Sequence, residues 1–137
     1  MATTKRIVVD TNLLVSRLLL PDSVPGQAVR KAERTGVVLA SRATLDELSD
    51  VLSRRKLDRY VSVDQRRKYV RRLLGTVEMV TVQHVVRASR DAGDTKFLEL
   101  ALSGGATLIL TEDAVLLVLN PFRGIAIRTA SDYMSAD

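Results

Sequence analysis

Cysteine and tryptophan are absent from this chain of 137 residues, and aromatic residues make up only 4% of it. Without cysteine, disulfide bonds, zinc sites built on thiolates and catalysis by a cysteine nucleophile are all excluded. Hydrophobic residues nevertheless make up 46% of the chain, so a globular core is expected, built from Leu, Val, Ile and Ala. The composition therefore predicts an ordered protein whose chemistry does not involve thiols.

Long hydrophobic runs are also missing. No stretch approaches the roughly 20 apolar residues of a membrane span, and the first residues do not show the pattern of a signal peptide. We therefore expect a soluble, cytoplasmic protein with no membrane partner, folded as one domain over residues 1–137. Histidine occurs once, at His84, outside any nucleophile-elbow motif, so Ser–His catalysis is poorly supported and we interpret His84 as a loop residue.

Positive charge is concentrated in one segment. The formal net charge is +5, but residues 54–72 contain nine basic and two acidic side chains, a local charge of +7. This asymmetry indicates a polyanionic partner such as nucleic acid, although a solvated helix face would give the same pattern. The candidate phosphate contacts lie on one helix that a capping box at Ser62 predicts: Arg66, Arg67, Lys68, Arg71 and Arg72.

Short apolar runs alternate with helical patterns along the chain. The predicted strands are Ile7–Val9, Val37–Ala40, Val77–Val82, Leu108–Leu110 and Ile125–Ile127. The predicted helices run from Pro25 to about Arg34, after Ser41, from Ser62 to Gly75, and after Asp94. This alternation predicts an α/β fold with a mostly parallel central sheet of four or five strands, whose order the pattern does not specify.

Two carboxylates follow predicted strands directly. Asp10 comes after Ile7–Val9, and Asp113 comes just after Leu108–Leu110. Ligands of open parallel sheets bind beyond the carboxyl ends of the strands, so these side chains are candidates for one site. An aspartate at a strand end can equally be the N-cap of the next helix, and either residue taken alone is open to that interpretation.

Two further acids are placed by helical geometry. Glu47 lies beside Val51 at the edge of an apolar helical stripe, near the core boundary, where it could join a site or form a salt bridge. Asp94 lies at the start of a helix, which it or Asp91 could cap. If these acids meet Asp10 and Asp113 in one pocket, they cannot all stay ionised without a cation, and Mg²⁺ prefers such oxygen ligands.

Four segments together resemble the PIN-domain family. They are Val9–Asn12, Leu45–Leu52, Asp94–Ala101 and Thr111–Asp113, with an Arg90–Asp91 pair that is typical of one subgroup. Their order and spacing match that family over nearly the whole chain. Within that family, the chain resembles the ribonuclease toxins of bacterial and archaeal toxin–antitoxin pairs.

The resemblance implies a three-layer α/β/α fold and an endoribonuclease that depends on Mg²⁺ or Mn²⁺. It implies that Asp10, Glu47, Asp94 and Asp113 are catalytic, the three aspartates as metal ligands, with support from three further residues: Asn12, Asp91 and Thr111. It also implies an RNA substrate, a cognate antitoxin protein as partner, and a homodimer.

One departure from the family pattern concerns the metal site. Many relatives carry a further aspartate where this chain has Val115, and Glu112 stands where a small residue is common. The number of metal ions is therefore open, with Asp91 or Glu112 as possible substitutes. Two alternatives also remain open at this point: a catalytically silent domain that binds RNA or protein, and a phosphoryl-transfer or phosphatase domain.

Overall fold

The computed structural model describes residues 4–86 and 92–136. In these residues, strands and helices alternate as the sequence predicts. The strands are β1 (Lys5–Val9), β2 (Gly36–Ala40), β3 (Glu78–Met79), β4 (Leu108–Leu110) and β5 (Ala126–Arg128). The helices are α1 (Thr11–Leu19), α2 (Val24–Thr35), α3 (Arg42–Leu52), α4 (Val63–Leu74), α5 (Ala92–Gly104), α6 (Ala114–Leu117) and α7 (Ala130–Ser135), with a short 3₁₀ helix at Arg55–Arg59. None of the described helices has the length and apolar character to cross a membrane.

The five strands form one parallel sheet in the order β3-β2-β1-β4-β5. Alternate residues of the central strand β1 face opposite sides, as strand geometry requires. Ile7 and Val9 pack into a core with side chains of α1, α2, α3, α4 and α7, whereas Val8 packs into a second core with side chains of α5 and α6. Helices therefore cover both faces of the sheet, and the predicted three-layer α/β/α architecture is confirmed.

Two helices, α3 and α4, start at their predicted capping residues. The Ser62 hydroxyl accepts from the backbone N–H of Gln65 over 3.0 Å, and the Gln65 side chain accepts from the Ser62 N–H over 2.9 Å. Ser41 and Thr44 form the equivalent box at the start of α3. Because Ser41 directly follows β2, its capping contacts fix where α3 leaves the sheet and hence where Glu47 can point.

Several elements differ from the sequence prediction. The pattern does not indicate helices α1, α6 and α7, and β5 begins one residue later than predicted, at Ala126. Strand β3 spans only Glu78–Met79 instead of Val77–Val82, because the chain then leaves the sheet edge: the N–H groups of Gln83 and His84 donate to the Ser103 hydroxyl on α5. Helix α5 begins at Ala92, so Asp94 lies within its first turn and does not cap it. His84 lies in an exposed, irregular segment, as predicted.

Candidate active site

The carboxyl ends of the neighbouring strands β1 and β4 bring Asp10 and Thr111 together. The Asp10 N–H donates to the Leu110 carbonyl over 2.9 Å, which continues the pairing of the two strands. The Thr111 hydroxyl donates to Asp10 Oδ2 over 2.6 Å, and the N–H of Asn12 donates to Asp10 Oδ1 over 3.3 Å. Asp10 therefore caps α1 and also lies at the sheet edge where ligands bind, so its two interpretations are compatible.

Asp113 is joined to the same threonine. Its N–H donates to the Thr111 hydroxyl oxygen over 3.0 Å, and its carboxylate accepts from the N–H of Val115 over 2.9 Å, which caps α6. Thr111 is fully buried and Asp113 is half-buried. One hydroxyl group thus fixes the relative positions of two carboxylate-bearing segments.

Glu47 reaches the site from α3 and forms an ion pair with Lys96 of α5. The Lys96 Nζ and Glu47 Oε2 atoms are 3.2 Å apart, and both side chains are about three-quarters buried, with exposures of 24% and 30%. Sequence reasoning did not identify Lys96 as part of the site. The pairing depends on how α3 and α5 pack, which the hydrophobic pattern does not specify.

The remaining predicted site residues differ in how they are placed relative to Asp10. Asp94 is buried, with 7% of its surface exposed, in the first turn of the helix that carries Lys96. Asn12 is exposed and contributes its backbone N–H to Asp10. Asp91 lies outside the described residues. The Glu112 carboxylate accepts from the N–H of Ala130 over 3.2 Å, so it points to the start of α7.

Two neighbouring carboxylates influence the ionisation of Asp10. Burial raises the pKa of Asp10, while the hydrogen bonds from the Thr111 hydroxyl and the Asn12 N–H lower it. The negative charges of Glu47 and Asp113 raise the pKa of Asp10 further. Since like charges disfavour one another's ionised form, a cation among these side chains would stabilise them together.

The donor chemistry fits a divalent ion of the magnesium type, because the side chains offered are carboxylates. Among residues 4–86 and 92–136, however, no three acidic or histidine side chains are already arranged as a ligand group. Mg²⁺ usually keeps several water ligands, so one or two of these carboxylates together with water could complete its coordination.

The predicted basic surface lies on α4, but one of its five residues is structural. Arg66 is only 5% exposed, and its guanidinium donates to the carbonyls of Leu52 and Val61 and to the Asp58 carboxylate. Its donors are thus engaged within the protein, so Arg66 does not belong to the exposed surface. The spacing of Arg66 with the buried Tyr69 and Leu73 on α4 is the sequence signal that could have indicated this.

The other four basic residues, Arg67, Lys68, Arg71 and Arg72, are exposed on α4. Two of them, Arg67 and Arg71, line a groove of about 690 Å³ between the end of α3 and α4. The groove has apolar walls, including Leu52, Val70 and Leu74. We define the basic surface of α4 as these four residues.

Comparisons with known proteins agree with this architecture. The PIN domain family model matches residues 6–114, which include all four predicted catalytic acids. The structure is similar to VapBC2 from Rickettsia felis bound to a DNA fragment from their promoter, with 10% identity, a TM-score of 0.62, and coverage of 90% of this chain and 98% of that chain. It is also similar to PAE2754 from Pyrobaculum aerophilum, with 18% identity, a TM-score of 0.63, and coverage of 96% and 88% respectively. A search of curated protein sequences gives no match.

At these identities the two structures establish a shared fold. The family model is more informative, because it extends from β1 to the start of α6 and so spans every element that positions an acidic side chain of the site. The chain belongs to the PIN domain family.

Proposed function

We propose that this protein is an endoribonuclease that depends on Mg²⁺ or Mn²⁺ and acts as the toxin of a toxin–antitoxin pair. PIN domains are generally nucleases, which favours hydrolysis of a phosphodiester over the phosphatase alternative. The observation that carries the proposal is the position of Asp10: it is buried, fixed by Thr111, and within the electrostatic influence of Glu47 and Asp113.

Asp10, Asp94 and Asp113 are the candidate ligands for the ion, and Glu47 is the candidate proton acceptor. A bound divalent ion would lower the pKa of a water molecule and offset charge on the phosphate. Glu47 would take one proton from the attacking water as the water oxygen bonds to phosphorus. The bond from phosphorus to the leaving ribose oxygen then breaks, and that oxygen takes a proton from solvent.

Two features of the exposed surface support the proposed partners: basic side chains for RNA and an apolar groove for proteins. The four basic side chains of α4 supply positive charge that phosphate groups would neutralise with release of counterions. The proposed antitoxin and the proposed homodimer would need apolar surface, and the groove beside α4 provides it. Val63 and Leu74 on its rim are about half exposed, at 52% and 49%.

The test is a cleavage assay with purified protein and a mixture of single-stranded RNAs, with Mg²⁺, with Mn²⁺ and with chelator. We expect internal cleavage with either ion and none with chelator. The Asp10→Asn variant, purified in the same way, is the control for contaminating nuclease and should be inactive. Ion-independent cleavage, or equal cleavage by the variant, would contradict the assignment.

A second candidate function is a silent domain that binds RNA or protein. The observation in its favour is Val115, which stands where many relatives carry an aspartate. RNA binding without turnover at any concentration of either ion is the result that this alternative predicts.

A further inference from the structure

The ion pair between Lys96 and Glu47 places a cation among the acids of the site. Among ion pairs that join described residues, it is the one that involves a predicted catalytic acid. It connects two different helices, α3 and α5, and it is far less exposed than the surface pairs of Lys68 with Asp64 or Arg54 with Asp50. Lys96 is also the only lysine after Lys68 in the chain.

A surface ion pair contributes little, because water and salt screen it. In a pocket of mutually repelling carboxylates the same pair has a larger consequence, because the ammonium offsets negative charge that Asp10 also experiences from Glu47. In the ion-free protein, the positive charge of Lys96 therefore offsets part of the negative charge that a divalent ion would offset.

The Glu47 carboxylate is restrained while it is paired. The Lys96 ammonium lies 3.2 Å from Oε2 and attracts that oxygen as an ion pair, although Oε2 makes no hydrogen bond with any described residue. If this ion pair opened, both carboxylate oxygens of Glu47 would be free to face water. The flexible four-carbon stem of lysine permits that movement without a change in α5.

We propose that Lys96 is a phosphate-contacting residue that is held on Glu47 until a divalent ion binds. The ammonium and the ion compete for the negative charge around Glu47, and the released ammonium contacts the non-bridging oxygens of the scissile phosphate. A lysine suits this role because it presents a compact charge with three donors that can rotate between acceptors. The inference rests on the proposed nuclease function.

The first measurement is Mn²⁺ binding by calorimetry in the absence of RNA. In Lys96→Gln the competing ammonium is gone, so Mn²⁺ should bind on the order of threefold to tenfold more tightly. Lys96→Arg keeps the charge and should bind as the wild type does. Lys5→Gln is the matched control, since Lys5 is exposed at the amino end of β1, away from the strand ends that carry the acids. Unchanged or weaker Mn²⁺ binding by Lys96→Gln would overturn the proposal.

The second measurement is single-turnover RNA cleavage at saturating Mn²⁺. Loss of a phosphate contact should slow Lys96→Gln by at least about tenfold, with partial recovery in Lys96→Arg. A merely structural lysine would lower the melting temperature but leave the rate of the folded, metal-saturated variant at the wild-type value, and that result refutes the phosphate contact. If the wild type cleaves no RNA, the proposed function fails, and competition at Glu47 is then decided by the Mn²⁺ titrations alone.

Discussion

The Thr111 hydroxyl donates a 2.6 Å hydrogen bond to the buried carboxylate of Asp10. The same oxygen accepts a 3.0 Å hydrogen bond from the N–H of Asp113. Thr111 therefore uses both its donor and its acceptor capacity between two carboxylate-bearing segments on adjacent strands, β1 and β4. Its burial is explained by these contacts, since a hydroxyl group in the interior requires partners.

Thr111→Val should uncouple the two segments without a change in side-chain shape. The valine leaves the Asp113 N–H without this acceptor and Asp10 without this donor, which should cost about 1–3 kcal/mol in the free energy of unfolding. Because the hydroxyl lowers the pKa of Asp10, that pKa should rise in the variant. Urea unfolding and the pH dependence of cleavage measure the two effects, and Thr111→Ser should restore most of both.

Asp10→Asn should abolish RNA cleavage and leave the ion-free protein as stable as the wild type, or more stable, at pH 7. Burial raises the pKa of Asp10 above its ordinary value of 3.8, so the folded state holds the proton more tightly than the unfolded state. The wild type therefore loses stability, relative to the variant, as the pH rises from about 4 through the raised pKa. Unfolding in chelator between pH 3 and pH 7 measures the difference.

The sign of that difference is the decisive result. A wild-type protein that gains stability relative to Asp10→Asn as the pH rises would show that the ionised carboxylate is favoured in the folded state. That outcome would contradict the repulsion that we assign to Glu47 and Asp113.

The fold and the strand-end acids could be predicted from sequence because each depends on local patterns. The apolar run Leu108–Leu110 is strand β4 as predicted, and the capping box at Ser62 begins α4 as predicted. The partners of individual side chains depended on tertiary packing. The pairing of Glu47 with Lys96 arises where helices distant in sequence meet, and hydrophobic periodicity carries no information about such contacts. The burial of Arg66 is different, because its spacing with Tyr69 and Leu73 on α4 does indicate it, whereas its partners Leu52 and Asp58 are set by packing.

Val115→Asp should restore an acidic position that many relatives have. Val115 is 40% exposed, and its N–H already donates to the Asp113 carboxylate, so an aspartate here would add a second carboxylate close to Asp113. We expect more cleavage at low millimolar Mg²⁺, measured as a shift of the Mg²⁺ titration to lower concentration. Val118→Asp, at a position that is 79% exposed and follows α6, is the control. If both variants titrate as the wild type does, the site is complete without this carboxylate.

Arg66→Met should destabilise the protein without changing how RNA binding depends on salt. The substitution leaves the carbonyls of Leu52 and Val61 without their guanidinium donors, and we expect a loss of about 2–4 kcal/mol in the free energy of unfolding. Urea unfolding measures the loss. If the variant is as stable as the wild type but binds RNA more weakly, Arg66 contacts phosphate and its role is not structural.

The double substitution Arg67→Gln and Arg71→Gln tests whether the basic surface of α4 contacts RNA. Both side chains are exposed and lie one helical turn apart, and glutamine keeps helix propensity while removing two charges. Each phosphate contact to a single strand contributes about 0.7 to the slope of log affinity against log salt, so the slope should flatten by about 1.4 as the affinity falls.

Arg30→Gln with Arg34→Gln is the matched control for this test, because it removes the same two charges at the same spacing from the exposed face of α2. The control should lower affinity slightly, through net charge, and keep the wild-type slope. If the α4 variant also keeps that slope, RNA lies elsewhere, and the groove beside Arg67 and Arg71 would be assigned to a protein partner. Size-exclusion chromatography would then show the α4 variant, but not the control, losing its dimer or its co-purified protein. If RNA occupies this surface, the α4 variant changes the salt dependence of RNA binding. If a protein occupies it, the variant changes assembly instead, so this single pair of variants separates the two uses.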